Sequence, residues 1–113
     1  MAAPARFLAS EHGTEVRIPI TIACGYINEQ QVWDKLSAGT VLGKITASGK
    51  YGPYDDSATD GRQTAVGILG EDVDATSSDV GTFMYVHCIV YASQLTGLDA
   101  NGKADLKGQI IFL

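Results

Sequence analysis

At 113 residues the chain has the length of one domain, enough to bury a core yet small enough for contacts between copies to matter. Thirteen acidic side chains against eight basic ones give a formal charge of −5, and seven of the acids lie between Asp55 and Asp79, offset only by Arg62. Such a surface repels phosphate and disfavours a nucleic-acid partner. No apolar run approaches the roughly 18 residues of a membrane span, and MAAPARFLASEH lacks the apolar stretch of a secretory signal, so the chain is expected to be soluble and unexported.

Residues 1–14 hold no sustained period and read as a mobile N-terminal arm ahead of a single domain, 15–113. From Glu15 the pattern alternates, with Val16, Ile18, Ile20, Ile22 and Cys24 on one face, which predicts a half-buried strand. Pro19 cannot donate to a ladder, so this strand is expected at a sheet edge. Asn28 and Gln31 have the spacing of a capping box, and Val32, Trp33 and Leu36 form an apolar stripe, which predicts a short helix over about 29–38 ended by Gly39.

Thr40 to Thr46 and Gln63 to Leu69 have the β-branched enrichment of strands, and GKYGPYDDSATDG between them is loaded with turn-setting residues. Thr82 to Tyr91 is the strongest strand. Phe83, Tyr85, His87, Ile89 and Tyr91 face one way and Met84, Val86, Cys88 and Val90 the other, so one face is expected to serve the core and the other a subunit contact. SQLTGLDANGKADLKG carries helix and turn signals, with Asp99 as N-cap and Gly108 as stop, before QIIFL closes the chain as a strand.

The stretches GTVLGKIT, GKYGPY, DGRQTAVGIL and EDVDAT together resemble the head decoration protein D family of lambdoid tailed bacteriophages. The clear resemblance covers roughly residues 37–76, and a weaker one runs through TFMYVHCIV to GQIIFL. The segment CGYINEQQVWDKLS shares no motif with the family. The resemblance implies a homotrimer on local threefold sites outside the expanded head, bridging the major capsid protein and reinforcing the shell against packaged DNA. It also implies a protein made in the bacterial host cytoplasm and carried on the outer surface of the virion. On that reading the arm docks on the shell, with Phe7 and Leu8 filling pockets, Pro4 reducing the disorder lost on docking, and Arg6 pairing with an acidic surface.

Candidate chemistry is sparse. Asp55, Asp56 and Asp60 invite a metal or acid/base reading, but in DDSATDG the alternation of oxygen ligands is broken by Ala58, and in DANGKADLKGQI the fifth and twelfth positions are Lys103 and Ile110; both segments read as solvated turns. His87 and Cys88 are neighbours on a strand and point to opposite faces, so they cannot share a metal; His87 reads as a core or interface histidine and His12 as exposed. Cys24 and Cys88 sit in apolar strand patterns and read as buried thiols. Asp34-Lys35 before AGTVLG is similar to the lysine-bearing hairpin of carrier domains, but Lys35 falls within the helical pattern and reads as a solvated helix residue.

No G-x-S-x-G and no phosphate-binding glycine loop occurs. No enzyme activity, catalytic residue, cofactor or metal is therefore expected. Tyr51 and Tyr54 flank Gly52-Pro53 and read as anchors of a tight turn; the alternative is a virion-displayed module that binds glycans through these rings and the acidic loop. The expected architecture is a predominantly β, α+β domain with a rolled or barrel-like sheet and few short helices.

Overall fold

A computed structural model describes residues 16–23, 26–28, 31–32, 35–75 and 78–113, the runs 26–28 and 31–32 by backbone alone. In chain order the strands are β1 (Val16–Ile22), β2 (Tyr26–Asn28), β3 (Gln31–Val32), β4 (Lys35–Leu36), β5 (Val41–Lys44), β6 (Tyr51–Pro53), β7 (Ala65–Leu69), β8 (Val73–Asp74) and β9 (Val80–Val90). A single 3-10 turn at Ala92–Gln94, the helix α1 (Ala100–Leu106) and β10 (Ile110–Phe112) follow. Among the described residues no helix is long and apolar enough to cross a membrane.

The strands β1-β6-β5-β7-β9 run in that order, and β9 pairs back onto β1, closing a five-stranded barrel. Closure rests on the antiparallel β1–β9 ladder, which runs from Val16 opposite His87 to Ile22 opposite Val80. On its other side β1 pairs only at Ile22, with Tyr51 of β6, so Pro19 lies where just one ladder is present, as its missing N–H requires. The predicted alternation of β1 holds from Ile18 to Ile22, with Ile20 and Ile22 buried and Ile18 packed against them; Val16, expected on the same face, is 51% exposed beyond the register shift at Val16/Arg17.

Two apolar clusters divide the core. One joins Ile20, Ile22, Leu42, Leu69 and Met84 with the partly buried Tyr51, Val80 and Val86. The other joins Val41, Tyr54, Ile68, Tyr85, Cys88, Val90, Leu106 and Ile110, so that α1 and β10 cover a face of the sheet. The helix starts as the sequence predicts, because Asp99 is its N-cap and accepts from the Gly102 N–H at 2.7 Å. Gly108, the predicted stop, has φ +93°, and the chain turns directly into β10, which lies parallel to the end of β9.

The helix expected over 29–38 does not form. Asn28 and Gln31, spaced like a capping box, face each other across the antiparallel β2–β3 ribbon. Lys35 and Leu36 form β4, paired with Asp74 and Val73 of β8. So short a helix gains little on its own, whereas Leu36 in a strand is buried against Val73 in the barrel-side cluster. Lys35 is consequently an exposed strand residue. With no helix to end, Gly39 instead sits in the turn between β4 and β5, at φ +93°, where its N–H donates to the Leu69 carbonyl.

The connection between β5 and β7 is also more regular than its turn residues suggest. Gly52-Pro53 lies in β6 and pairs with β5, Pro53 opposite Leu42 and Gly52 opposite Gly43; it is extended backbone and not a tight turn. Proline is tolerated there because the next N–H, that of Tyr54, takes over by donating to the Val41 carbonyl.

Candidate functional site

The acidic loop after β6 folds around Tyr54, whose ring is buried and whose hydroxyl donates to Asp99 Oδ1 at 2.8 Å. Asp99 therefore caps α1 and anchors the loop with one oxygen atom. Burial, that hydrogen bond and the nearby carboxylates of Asp56, Asp99 and Asp105 hold the Tyr54 hydroxyl well above the ordinary tyrosine range. Replacing Asp99 with Ala removes both contacts, a cap worth about 1 kcal/mol and a partner for a buried hydroxyl worth about 1–3 kcal/mol. The expected loss is about 2–3 kcal/mol in urea unfolding, while Asp99→Asn, which keeps an acceptor, should lose less than half as much.

The carboxylates that invite a metal reading are each engaged within the fold. Asp55 accepts from the Ser57 hydroxyl and N–H at 2.7 and 2.9 Å, Asp56 from Asn101 at 2.9 Å, and Asp60 from the Arg62 Nε at 3.0 Å. Asp105 on α1 accepts from the Ala65 N–H at the start of β7. Glu71 accepts from the Thr82 hydroxyl and Asp72 from the Ala38 N–H, and Lys50 pairs with Asp79. Among the described residues no group of three potential ligands converges. The acids lace loops to strands. The first segment, DDSATDG, is turn and bend with Asp55, Asp56, Ser57 and Thr59 exposed, as expected; the second departs from the turn reading, since it lies largely on α1, with Gly102 and Leu106 buried.

This lacing sets an acid limb. The Ser57 side chain and N–H lower the Asp55 pKa; for Asp60, burial pushes upward but the Arg62 side chain and backbone N–H groups win and lower it. Both folded values lie below the unfolded one, near 3.9. The stabilisation is thus fully present above about pH 4–5 and is lost as pH falls through the folded values. Urea midpoints measured from pH 6 downward should hold until about pH 4 and then drop, and Asp55→Asn should flatten part of that drop.

Arg62, the sole base in the acidic stretch, is 3% exposed. Besides Asp60 it donates from Nη1 to the Pro53 carbonyl at 3.1 Å, tying the loop back to β6. Its backbone presses on Gly43 so closely that a Cβ there would lie 2.5 Å from the Arg62 Cα, which fixes glycine at that strand position. The sequence signal for this arrangement is the spacing of DGR, an acid two residues before the base.

Tyr51 and Tyr54 do not form one platform. Tyr51 packs with the Ile22 and Leu42 cluster and lies beneath Lys44, 6.0 Å from its ring centroid, whereas Tyr54 packs with Val41 and Leu106. The two rings serve different cores and share no aromatic surface.

A different surface stands out at the end of β9. Val16 lies opposite His87 but Arg17 opposite Tyr85, so Val86 is an extra residue, a β-bulge. The bulge resets the alternation. Before it, Phe83 and Tyr85 pack on the cluster with Leu106; after it, Cys88 and Val90 take over that inward side. The predicted single face from Phe83 to Tyr91 is therefore split, and His87, read as a core or interface residue, is exposed. Cys88 is a buried thiol, as expected, and His87 and Cys88 do point to opposite sides.

On the outward side of this segment, Ile89 pairs with Ile111 of β10, and Tyr91 and Leu113 each follow two residues on. Val16, across from His87, completes the face. Val16, Tyr91, Ile111 and Leu113 are 51%, 45%, 54% and 65% exposed, and they are the large apolar side chains most open to water among the described residues. Pro4, Arg6, Phe7 and Leu8, with His12 and Cys24, lie outside the described residues; the described chain begins at Val16, on this apolar face.

The family model of bacteriophage lambda head decoration protein D matches residues 2–110. The chain belongs to that family. No individual curated protein matches it. The head decoration match runs through residues 24–37, the segment in which the sequence shows no shared motif. Membership makes the protein a structural component associated with a phage capsid. The laced loop and the apolar face are thus features of a scaffold that meets other proteins.

Proposed function

We propose that the protein binds as a homotrimer at local threefold sites on the outside of the expanded phage head, bridges neighbouring major capsid proteins, and stabilises the shell against packaged DNA. The observation that supports this reading is the bare apolar face on β9 and β10, in a family of capsid-associated proteins. Apolar side chains gathered on one face of a small acidic domain mark a protein contact. Each subunit contributes an arm, residues 1–14, in which Phe7 and Leu8 fill shell pockets, Pro4 limits the disorder lost and Arg6 meets an acidic surface. One arm is a weak tether; three on a rigid trimer bind with high effective concentration. Binding only the expanded shell stabilises that state by mass action.

The test has two stages. Light scattering after size exclusion should give about three times the 11.9 kDa subunit mass, and co-sedimentation should show binding to expanded heads but not to unexpanded ones. Equal binding to both kinds of head would overturn the stabilising mechanism.

A further inference from the structure

We propose that Asn101 is a site of spontaneous deamidation that the fold holds shut, and that it reacts only when the first turn of α1 comes away from the acidic loop. The inference stands apart from the trimer and arm readings.

Asn101 directly precedes Gly102, whereas the other asparagine of the chain, Asn28, precedes Glu29. An asparagine before glycine is prone to ring closure, because no Cβ on the next residue crowds the attacking main-chain nitrogen. Packing fixes the glycine here. A Cβ at position 102 would lie 3.2 Å from Tyr54 Cε2 and 3.3 Å from Asp99 Oδ1, closer than side chains ordinarily pack. Asn101 itself is exposed to water. The dipeptide that the chemistry needs is thus dictated by the way Tyr54 seats on α1.

In the reaction hydroxide takes the Gly102 N–H proton, the nitrogen attacks Asn101 Cγ, and the bond from Cγ to Nδ2 breaks, Nδ2 leaving as ammonia with a proton from water. The product is a five-membered succinimide. Water then adds to either of its two carbonyl carbons and opens the ring, leaving aspartate or isoaspartate at position 101. The net change is hydrolysis of one side-chain amide, with nothing oxidised or reduced.

Three features of the fold oppose this. Ring closure needs extended backbone at Asn101, but the residue lies within α1, where ψ is about −40°. The Gly102 N–H donates to Asp99 Oδ1 at 2.7 Å, so its proton would have to leave beside a carboxylate and set two negative charges together. The Asn101 amide donates to Asp56 Oδ2 at 2.9 Å, which holds the side chain toward the loop. Fraying of the first turn releases all three at once, and such local opening costs less than global unfolding. The reaction is also one-way. An aspartate product sets its carboxylate against that of Asp56 where a donor had been, and an isoaspartate product lengthens the main chain by one carbon, which carries Gly102 away from Asp99.

The test holds full-length wild type, Asp56→Ala and Asp99→Ala in mildly alkaline buffer at body temperature, with and without denaturing urea. Peptide mass mapping reads the amide replaced by acid at each asparagine, and an isoaspartate-specific methyltransferase reads the rearranged product. In urea all three proteins should react at Asn101 at similar rates, with Asn28 slower. Folded wild type should react at Asn101 at least about ten-fold more slowly than in urea. Asp99→Ala should raise the folded rate at least about five-fold, as loss of the cap shifts the opening equilibrium. Asp56→Ala should raise it too, and because Asp56 is an exposed turn residue, this variant decides the matter should Asp99→Ala fail to fold. Folded wild type that reacts as fast as the unfolded chain, an unfolded chain that keeps its amide at Asn101, or a folded Asp56→Ala protein no faster than wild type would each overturn the inference.

Discussion

Arg62→Ala is expected to lower stability by about 3 kcal/mol, the largest loss for any single side chain outside the two apolar clusters. Removing one partner of a buried ion pair costs roughly 3–5 kcal/mol because the other charge is left without compensation. The lower end applies because the Asp60 side chain is 29% exposed and can recover some hydration. The Pro53 carbonyl loses its donor as well. In a domain of this size about 3 kcal/mol corresponds to a fall in melting temperature of roughly 10–20 °C.

Arg62→Lys should fall between, since an ammonium lacks the planar fork that serves Asp60 and Pro53 together. Asp60→Asn with Arg62→Ala should lose less than the sum of the single changes, because the two groups act on each other. Melting curves and urea titrations of the four proteins measure this directly. An Arg62→Ala protein as stable as wild type would show that the acidic loop is held without its buried guanidinium.

Deleting residues 2–14 is expected to leave the fold and the subunit association intact while reducing binding to expanded heads by about 100-fold or more. Among the described residues both clusters are built from Ile18 onward, which is the basis for expecting the fold to persist. On the proposed reading the shell contact is made by three arms at once. A loss of about 1 kcal/mol per arm, counted three times, slightly exceeds about 100-fold in affinity. Phe7→Ala and Leu8→Ala should each produce most of that effect, and Arg6→Ala an effect that fades as salt rises. Co-sedimentation with expanded heads at two ionic strengths checks all of these, and unchanged affinity of the truncated protein would remove the arm from the mechanism.

Much of the barrel was legible in the residues. The alternation from Ile18 to Ile22, the β-branched runs at Val41 and Ala65, and Asp99 as a cap each express a local preference that the fold keeps. The failures share a cause: tertiary pairing overrode a local signal. Val32 and Leu36 are four apart, as on a helix, but Leu36 gains more by meeting Val73 across a strand pair. Gly52-Pro53 is a turn dipeptide by composition, yet Leu42 and Gly43 supply a ladder that extends it. The bulge at Val86 leaves no composition signal, so the side to which Cys88 and Val90 turn could not be read from alternation alone. For the site, the sequence exposed the apolar run from His87 to Tyr91 but not the joining of Ile111, Leu113 and Val16 to it, because that depends on which strands lie beside β9.

The closure of the barrel also governs when the apolar face comes into being. The pairing of Val16 with His87 joins segments far apart in the chain, and β10 joins the end of β9 from the far side of α1. Contacts between such distant segments are formed late and make folding slow, on the scale of milliseconds to seconds. A half-folded chain has therefore not yet assembled the outward face of β9 and β10, which depends on both pairings.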